Sequence, residues 1–218
     1  MAADTGVPAE ETLLDYHRYA LPEPVALPAH QTKQVPLLTA DDVRVERTYR
    51  VTGPGLYAGI SPQDDEQTLP VEIRLVLVND RGHGMGKPLP AGIVRVETPA
   101  ASGIVEFTGE DRIGHVAEGE RIELRVGEAT DLVAKRRLMD YRQTGTKPYE
   151  AEAAVQLTLR NRTDKDVHVQ IREPLPGSWK VVESSLESER INATTLGFTA
   201  TVPANGSVDV SYRVQLGR

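Results

Sequence analysis

Alternation of apolar and polar residues at every second position is the feature that most constrains the fold of this chain. It runs through Val43–Val51, Val71–Val78, Ala151–Asn161 and Val167–Ile171. This period places apolar side chains on one face of a half-buried β-strand. Val, Ile and Thr, whose branched Cβ suits a pleated surface, make up 50 of the 218 residues, and 18 Gly and 15 Pro leave little room for long helices. The sequence therefore predicts an all-β protein.

The spacing of the predicted strands indicates two domains. Residues 1–12 are small or acidic without periodicity and predict a flexible N-terminal tail. Residues 13–148 predict a β-sandwich domain. Residues 149–218 hold six short alternating segments and predict a smaller immunoglobulin-like β-sandwich with Trp179 in its core.

The segment Gly127–Thr144 is compatible with two kinds of element. It has no Gly or Pro after Gly127, so a helix is possible. Its apolar residues form no stripe at helical spacing, because Lys135, Arg136 and Arg137 interrupt it. We therefore favour a strand.

Composition and charge exclude several classes of protein. The absence of cysteine excludes disulfides, thiolate nucleophiles and Cys-ligated metals. A formal net charge of −7 argues against a nucleic-acid or anionic-membrane partner. No apolar run approaches the length of a transmembrane segment, and Met1–Glu11 has no features of a secretory signal. A cytoplasmic location and the loss of an export signal from a longer chain both fit.

Motifs of catalytic chemistry are missing from the sequence. The stretch Gly82–Lys87 has a P-loop-like appearance, but Arg81 stands where the first glycine should be and Pro88 where the hydroxyl residue should be. We interpret it as a glycine-rich hairpin connection. There is no Gly-x-Ser-x-Gly and no His-Glu-x-x-His motif. The sequence therefore predicts no catalytic residue and no cofactor.

The strongest candidate binding site is the stretch Gly109–Glu120, which we expect to be a loop between strands Ile104–Phe107 and Arg121–Val126. A loop of this length exceeds what a simple hairpin needs. Carboxylates and an imidazole could ligate a divalent cation, whereas arginines within and beside the loop could neutralise the carboxylates instead. We favour the structural loop and predict no metal site. The candidate residues are Glu110, Asp111, Arg112, His115, Glu118 and Glu120.

Several stretches taken together resemble one family. They are Tyr19–Pro22, Gln31–Leu38, Pro88–Val96, Phe107–His115, Leu159–Arg162 and Glu173–Trp179. In this order they resemble the bacterial DUF4139 domain, which also occurs in proteins named after mucoidy inhibitor A. The resemblance spans residues 13–216.

The resemblance implies a cellular location for the chain and a relation to longer proteins, but it implies no catalytic chemistry. The family is described as of unknown function, so it implies no catalytic residues. Its longer members resemble exported or cell-envelope proteins with a further N-terminal domain and a helical region. The chain is then expected to be extracytoplasmic, and to be either a short member or a C-terminal part of a longer protein.

Three functions remain open from the sequence. The favoured one is a non-catalytic β-sandwich module that binds a protein or cell-envelope partner. The second is a metal-dependent hydrolase that uses Glu110–Glu120. The third is a carbohydrate-binding module, which the aromatic content of 5% weakens because sugars stack on exposed aromatic rings.

Overall fold

The computed structural model describes residues 9–13, 16–20, 24–56, 66–147 and 150–217. The strands within these ranges are β1 (Ala9–Leu13), β2 (Tyr16–Ala20), β3 (Glu46–Thr52), β4 (Gln67–Leu69), β5 (Val71–Val78), β6 (Gly92–Pro99), β7 (Val105–Ile113), β8 (Arg121–Glu128), β9 (Leu132–Gln143), β10 (Ala151–Asn161), β11 (Val167–Pro174), β12 (Trp179–Ser184), β13 (Glu189–Asn192), β14 (Thr195–Val202) and β15 (Ser207–Leu216). Among the described residues the only helical element is a 3-10 turn at Arg81–His83. The predicted all-β class is confirmed.

Two sheets contribute to one apolar core. The five-stranded sheet has the order β12-β15-β10-β9-β4, and the six-stranded sheet has the order β13-β14-β11-β3-β5-β8. Most pairs are antiparallel, but β3 and β11 are parallel, with Tyr49 opposite Val169. Two further pairs, β1-β2 and β6-β7, form separate two-stranded sheets. The architecture is that of a β-sandwich.

The core follows directly from period-two patterning. In β10 every second residue from Ala151 to Asn161 is buried, and on the facing sheet β11 and the part of β14 from Phe198 to Val202 show the same alternation. The rings of Phe198 and Tyr212 lie 5.4 Å apart between centroids. Trp179 is buried as predicted, and its Nε1 donates to the carbonyl of Ala193 at 2.9 Å.

The chain divides into two compact units. The first consists of Met1–Val45, Leu77–Gly92 and Arg112–Ile122, and the second of Glu46–Val76, Ile93–Asp111 and Glu123–Arg218. The sandwich and its core belong to the second unit. No helix in the described ranges has the length and apolar character needed to cross a membrane.

This division differs from the one expected from the sequence. Residues 148 and 149, at the expected boundary, lie outside the described part, but β9 before them and β10 after them pair over their whole length. One sheet therefore contains strands from both sides of the expected boundary. Of the expected tail, residues 1–8 also lie outside the described part, whereas β1 begins at Ala9 and pairs with β2.

The segment Gly127–Thr144 is a strand over most of its length, as we favoured. Its β9 portion buries Leu132, Ala134, Arg136 and Leu138 in alternation. One inward position is thus an arginine, which is why no clean apolar pattern was visible in the sequence.

Candidate functional site

The stretch Gly109–Glu120 is a loop over only part of its predicted length. Strand β7 continues to Ile113, so Glu110, Asp111 and Arg112 are strand residues. Gly109 lets β7 extend here, because a Cβ at this position would collide with the carbonyl of Val126 in β8. The expected loop boundary at Gly109 is therefore wrong, and the connecting turn begins after Ile113.

The two acidic strand residues already have basic or backbone partners. Glu110 Oε2 lies 3.3 Å from Nε of Arg95. Asp111 Oδ2 accepts a hydrogen bond from the backbone N–H of Arg125 at 2.7 Å. Arg112 is exposed beside them in the strand. These contacts orient the side chains within the sheet edge rather than towards a common centre.

The acidic residues of the turn also have an arginine or a backbone N–H as partner. Glu118 Oε1 lies 3.4 Å from Nε of Arg81, and Glu120 Oε2 accepts from the N–H of Ala117 at 2.8 Å. His115 is exposed in the turn. Among the described residues no three His, Asp or Glu side chains come together in an arrangement that could hold a metal ion.

Asn79 is the residue that organises this turn, and sequence reasoning missed it. Its side chain is fully buried and donates to the carbonyls of Lys87 and Ala117 at 2.8 and 2.9 Å. Its Oδ1 accepts from the N–H of Gly86, and its backbone bonds to Gly119 and Glu120 in the turn. A satisfied buried amide of this kind fixes two loops at once. It is a structural anchor with no free group for a ligand.

An unusual pair of strands is the β6-β7 ribbon, which exposes large apolar side chains. Phe107 is 61% exposed, and Ile104 at 66% is the most exposed large apolar side chain of the described residues. Ile93 and Val105 on the same ribbon are more than half exposed. The ribbon is held internally by a hydrogen bond from Thr108. Alternation in β6 places Val94 and Val96 on its half-buried face and Ile93 on the other, so the local pattern did not predict which apolar side chains of the ribbon are exposed.

The core of the sandwich contains a buried ion pair. Arg136 on β9 and Glu173 on β11 belong to opposite sheets, and Nε and Nη2 of the arginine donate to the two carboxylate oxygens at 3.0 and 3.2 Å. Both side chains are almost inaccessible, at 3% and 0% exposure. Gly53 leaves room for the carboxylate, because a Cβ there would collide with it. The hydroxyl of Tyr212 lies beside the pair and has no hydrogen-bond partner of good geometry among the described residues.

Burial and the charge of the partner shift the pKa in opposite directions for both Arg136 and Glu173. Burial raises the pKa of the Glu173 carboxyl, and the Arg136 charge opposes that effect. Burial alone would lower the pKa of Arg136, but the adjacent carboxylate raises it. Burial and the same carboxylate raise the pKa of Tyr212 well above its usual value. The bidentate geometry favours an ionised pair. Since it lies inside the packed core, it serves the fold rather than a ligand.

The face of the six-stranded sheet turned away from the core is polar and rich in arginine. Arg50 and Arg74 share the carboxylate of Glu123, with the shortest contact at 2.9 Å. Arg125 and Arg74 share Glu72 in the same way, at 3.0 and 2.9 Å. None of the six-stranded sheet's residues on this face is aromatic within the described part. Stacking of a sugar ring therefore has no platform here.

Comparisons with known proteins supply no relative. The chain matches no family model, no curated protein and no solved structure. The resemblance to the DUF4139 domain stays a prediction.

Proposed function

We propose that this chain is a non-catalytic module that binds a protein partner through the β6-β7 ribbon. The observation that carries the proposal is the exposure of Ile93, Val105 and Phe107 on two adjoining strands and of Ile104 directly before β7. Each large apolar side chain left in water forgoes roughly 1.5–3 kcal/mol of burial free energy. Clustered exposed apolar residues rimmed by polar ones are typical of interaction surfaces.

Charge on the ribbon defines the kind of partner. The carboxylates of Glu97 and Glu106 are exposed and make no hydrogen bond or ion pair with any described residue, whereas the carboxylate of Glu110 is paired with Arg95. Glu97 shares its face of β6 with Ile93, so a partner that covers Ile93 comes close to this carboxylate, whereas Glu106 lies between Val105 and Phe107 and points to the other face of β7. Unpaired carboxylates at an interface favour basic side chains opposite them. The expected partner therefore presents an apolar patch flanked by lysine or arginine.

The absence of catalytic activity is part of the proposal and rests on how the candidate groups are used. The carboxylates of Glu118 and Glu120 hold the turn, and Asp111 holds the sheet edge. General acid–base chemistry needs a group within hydrogen-bond reach of a substrate. The metal-dependent hydrolase is accordingly the weaker alternative.

A bacterial envelope location is proposed on the family resemblance alone.

A peptide library displayed on phage tests the ribbon directly. Selection against the wild-type chain should enrich peptides that combine apolar residues with Lys or Arg. Phe107→Ser and Ile104→Ser should each weaken binding of the selected peptides at least tenfold, because removal of one buried anchor typically costs about 2 kcal/mol or more. Val182→Ser, which removes another half-exposed apolar side chain from β12, is the matched control and should change nothing.

Two outcomes would contradict the proposal. One is selection of peptides that bind wild type and Phe107→Ser equally. The other is a concentration-dependent dimer in sedimentation experiments that Phe107→Ser abolishes. The second result would assign the ribbon to self-association instead of a separate partner.

A further inference from the structure

A second surface, independent of the ribbon, carries a cluster of hydrogen-bond donors. We define the donor cluster as Thr52, Gln170, Arg172 and Thr199 on the outward face of the six-stranded sheet. The strand register places Arg172 opposite Thr52 on one side, and Gln170 opposite Thr199 on the other. Because residues two apart in a strand share a face, Gln170 and Arg172 point the same way. The four side chains therefore form one patch.

Arg50 fixes the orientation of the Gln170 amide. Its Nε and Nη2 both donate to Gln170 Oε1, at 3.3 and 3.0 Å. The amide oxygen is thereby used, and the NH2 group must face away from Arg50. That NH2 has no partner among the described residues, so it offers two donors to anything above the sheet.

Arg172 is the arginine of this face that lacks a counter-ion. Arg50, Arg74 and Arg125 each have a carboxylate within 4 Å, whereas Arg172 makes no ion pair or hydrogen bond through its side chain with any described residue. Its guanidinium lies over Gly197, where any Cβ would clash with it. A half-buried guanidinium without a partner is costly.

The electrostatic surroundings of Arg172 reinforce this picture. Burial lowers the pKa of its guanidinium, and the nearby positive charge of Arg50 lowers it further. Glu189 and Glu123 act in the opposite direction but stay beyond ion-pair distance from it. The site therefore combines a guanidinium without an ion pair and amide N–H groups without an acceptor among the described residues, and the two carboxylates that act on the guanidinium, those of Glu189 and Glu123, do not contact it.

We propose that the donor cluster binds an oxyanion group, carboxylate or phosphate, of a small ligand. A guanidinium offers two parallel N–H groups that match the spacing of two oxygens in either group. The Gln170 NH2 and the hydroxyls of Thr52 and Thr199 supply further donors around it. A bound oxyanion would neutralise Arg172 and satisfy donors that the protein itself leaves open. This inference does not rest on the proposed function of the ribbon.

Titration followed by 15N NMR tests the site with defined probes. Sodium phosphate and sodium acetate are added separately at pH 7 while sodium chloride holds the ionic strength constant. The side-chain NH2 signals of Gln170 and the Nε–H signal of Arg172 should shift saturably. For an exposed site of this size we expect a dissociation constant on the order of 1–10 mM. Response to phosphate alone assigns a phosphate site, and response to both assigns a general oxyanion site.

Three variants distinguish anion binding at the donor cluster from nonspecific attraction of anions to the protein. Arg172→Gln should weaken binding at least tenfold, and Gln170→Glu should abolish it, because the new carboxylate still accepts from Arg50 but repels the probe. Arg160→Gln removes an exposed arginine of β10 and is the matched control, expected to bind like wild type. The proposal is overturned if neither probe shifts the signals or if Arg172→Gln binds as tightly as the control.

Discussion

At the residue scale, Asp80 shows how one carboxylate organises a turn. It precedes the 3-10 turn Arg81–His83, and its Oδ1 accepts from the N–H of His83 at 2.9 Å and lies 2.7 Å from the Nδ1 of the same residue. Gly84 then closes the turn in the left-handed region, with φ 86°. The glycine-rich stretch is therefore a capped 3-10 turn. It is not the hairpin connection expected from the sequence, because the strands on either side of it, β5 and β6, belong to different sheets.

The pKa of Asp80 gives the first prediction. The hydrogen bond from His83 holds the pKa of Asp80 below its usual value. His83→Ala should raise that pKa towards about 3.9, the value of an unperturbed aspartate. A pH titration of the carboxyl 13C resonance measures it, and His115→Ala is the control. A carboxyl group whose pKa is lower in the folded than in the unfolded protein stabilises the fold at pH values above its unfolded pKa. This stabilisation is lost as the pH falls through its folded pKa. Wild type should therefore lose this contribution below about pH 4, whereas His83→Ala lacks it at every pH.

At the scale of one element, β9 shows how a polar residue enters a core. Its inward positions alternate regularly, and Arg136 occupies one of them between Ala134 and Leu138. The position is tolerated because Glu173 reaches it from the facing sheet and satisfies the guanidinium through two hydrogen bonds. Burial of either charge alone would cost several kcal/mol.

A double-mutant cycle tests this pair. Arg136→Met should lower the free energy of unfolding by about 3–5 kcal/mol, because it leaves the Glu173 carboxylate buried and unpaired. Adding Glu173→Leu should restore most of the loss, since two apolar groups of similar volume replace both charges. Urea unfolding at pH 7 measures each variant. If Arg136→Met lowers the free energy of unfolding by less than about 1 kcal/mol, water reaches the pair.

At the scale of the whole molecule, the two units differ in how they are held together. Of the buried apolar side chains described, only Val116 and Ile122 belong to the first unit, and the others belong to the second. The first unit depends instead on Asn79 and its hydrogen bonds. Regions with few buried apolar contacts open at lower free-energy cost than a packed core.

Hydrogen exchange should reveal this difference. The amides of Leu89 and Val116, which bond to each other's carbonyls, represent the first unit, and the amides of Leu157 and Val210 in the central strands represent the second. We expect the first pair to exchange roughly 100-fold faster or more, measured by NMR in D2O. Equal exchange of all four amides would mean that the chain opens as one cooperative unit.

Many of the strands could be predicted from the sequence because the alternation of apolar and polar residues is a local property. The strands β5 and β10 coincide with segments whose apolar residues recur at every second position, and β11 contains such a segment. Strand β3 begins only at Glu46, after the first part of its predicted segment Val43–Val51. The burial of Trp179 followed from its place at the start of a predicted strand. Period-two burial depends only on residues close together in the chain. The all-β class was determined at this level.

Which strands pair, and which polar side chains meet, was decided by the tertiary structure alone. The salt bridge of Arg136 joins residues 37 positions apart, and the contact that orients Gln170 spans 120 positions. Residues 109–113, the start of the predicted loop, belong to β7 instead, because Gly109 has no Cβ and its backbone can approach the carbonyl of Val126 in β8 closely. Four of the six predicted site residues, Glu110, Asp111, Glu118 and Glu120, are held by partners outside the predicted group. No local pattern carries this information, because a partner's position depends on how distant segments pack.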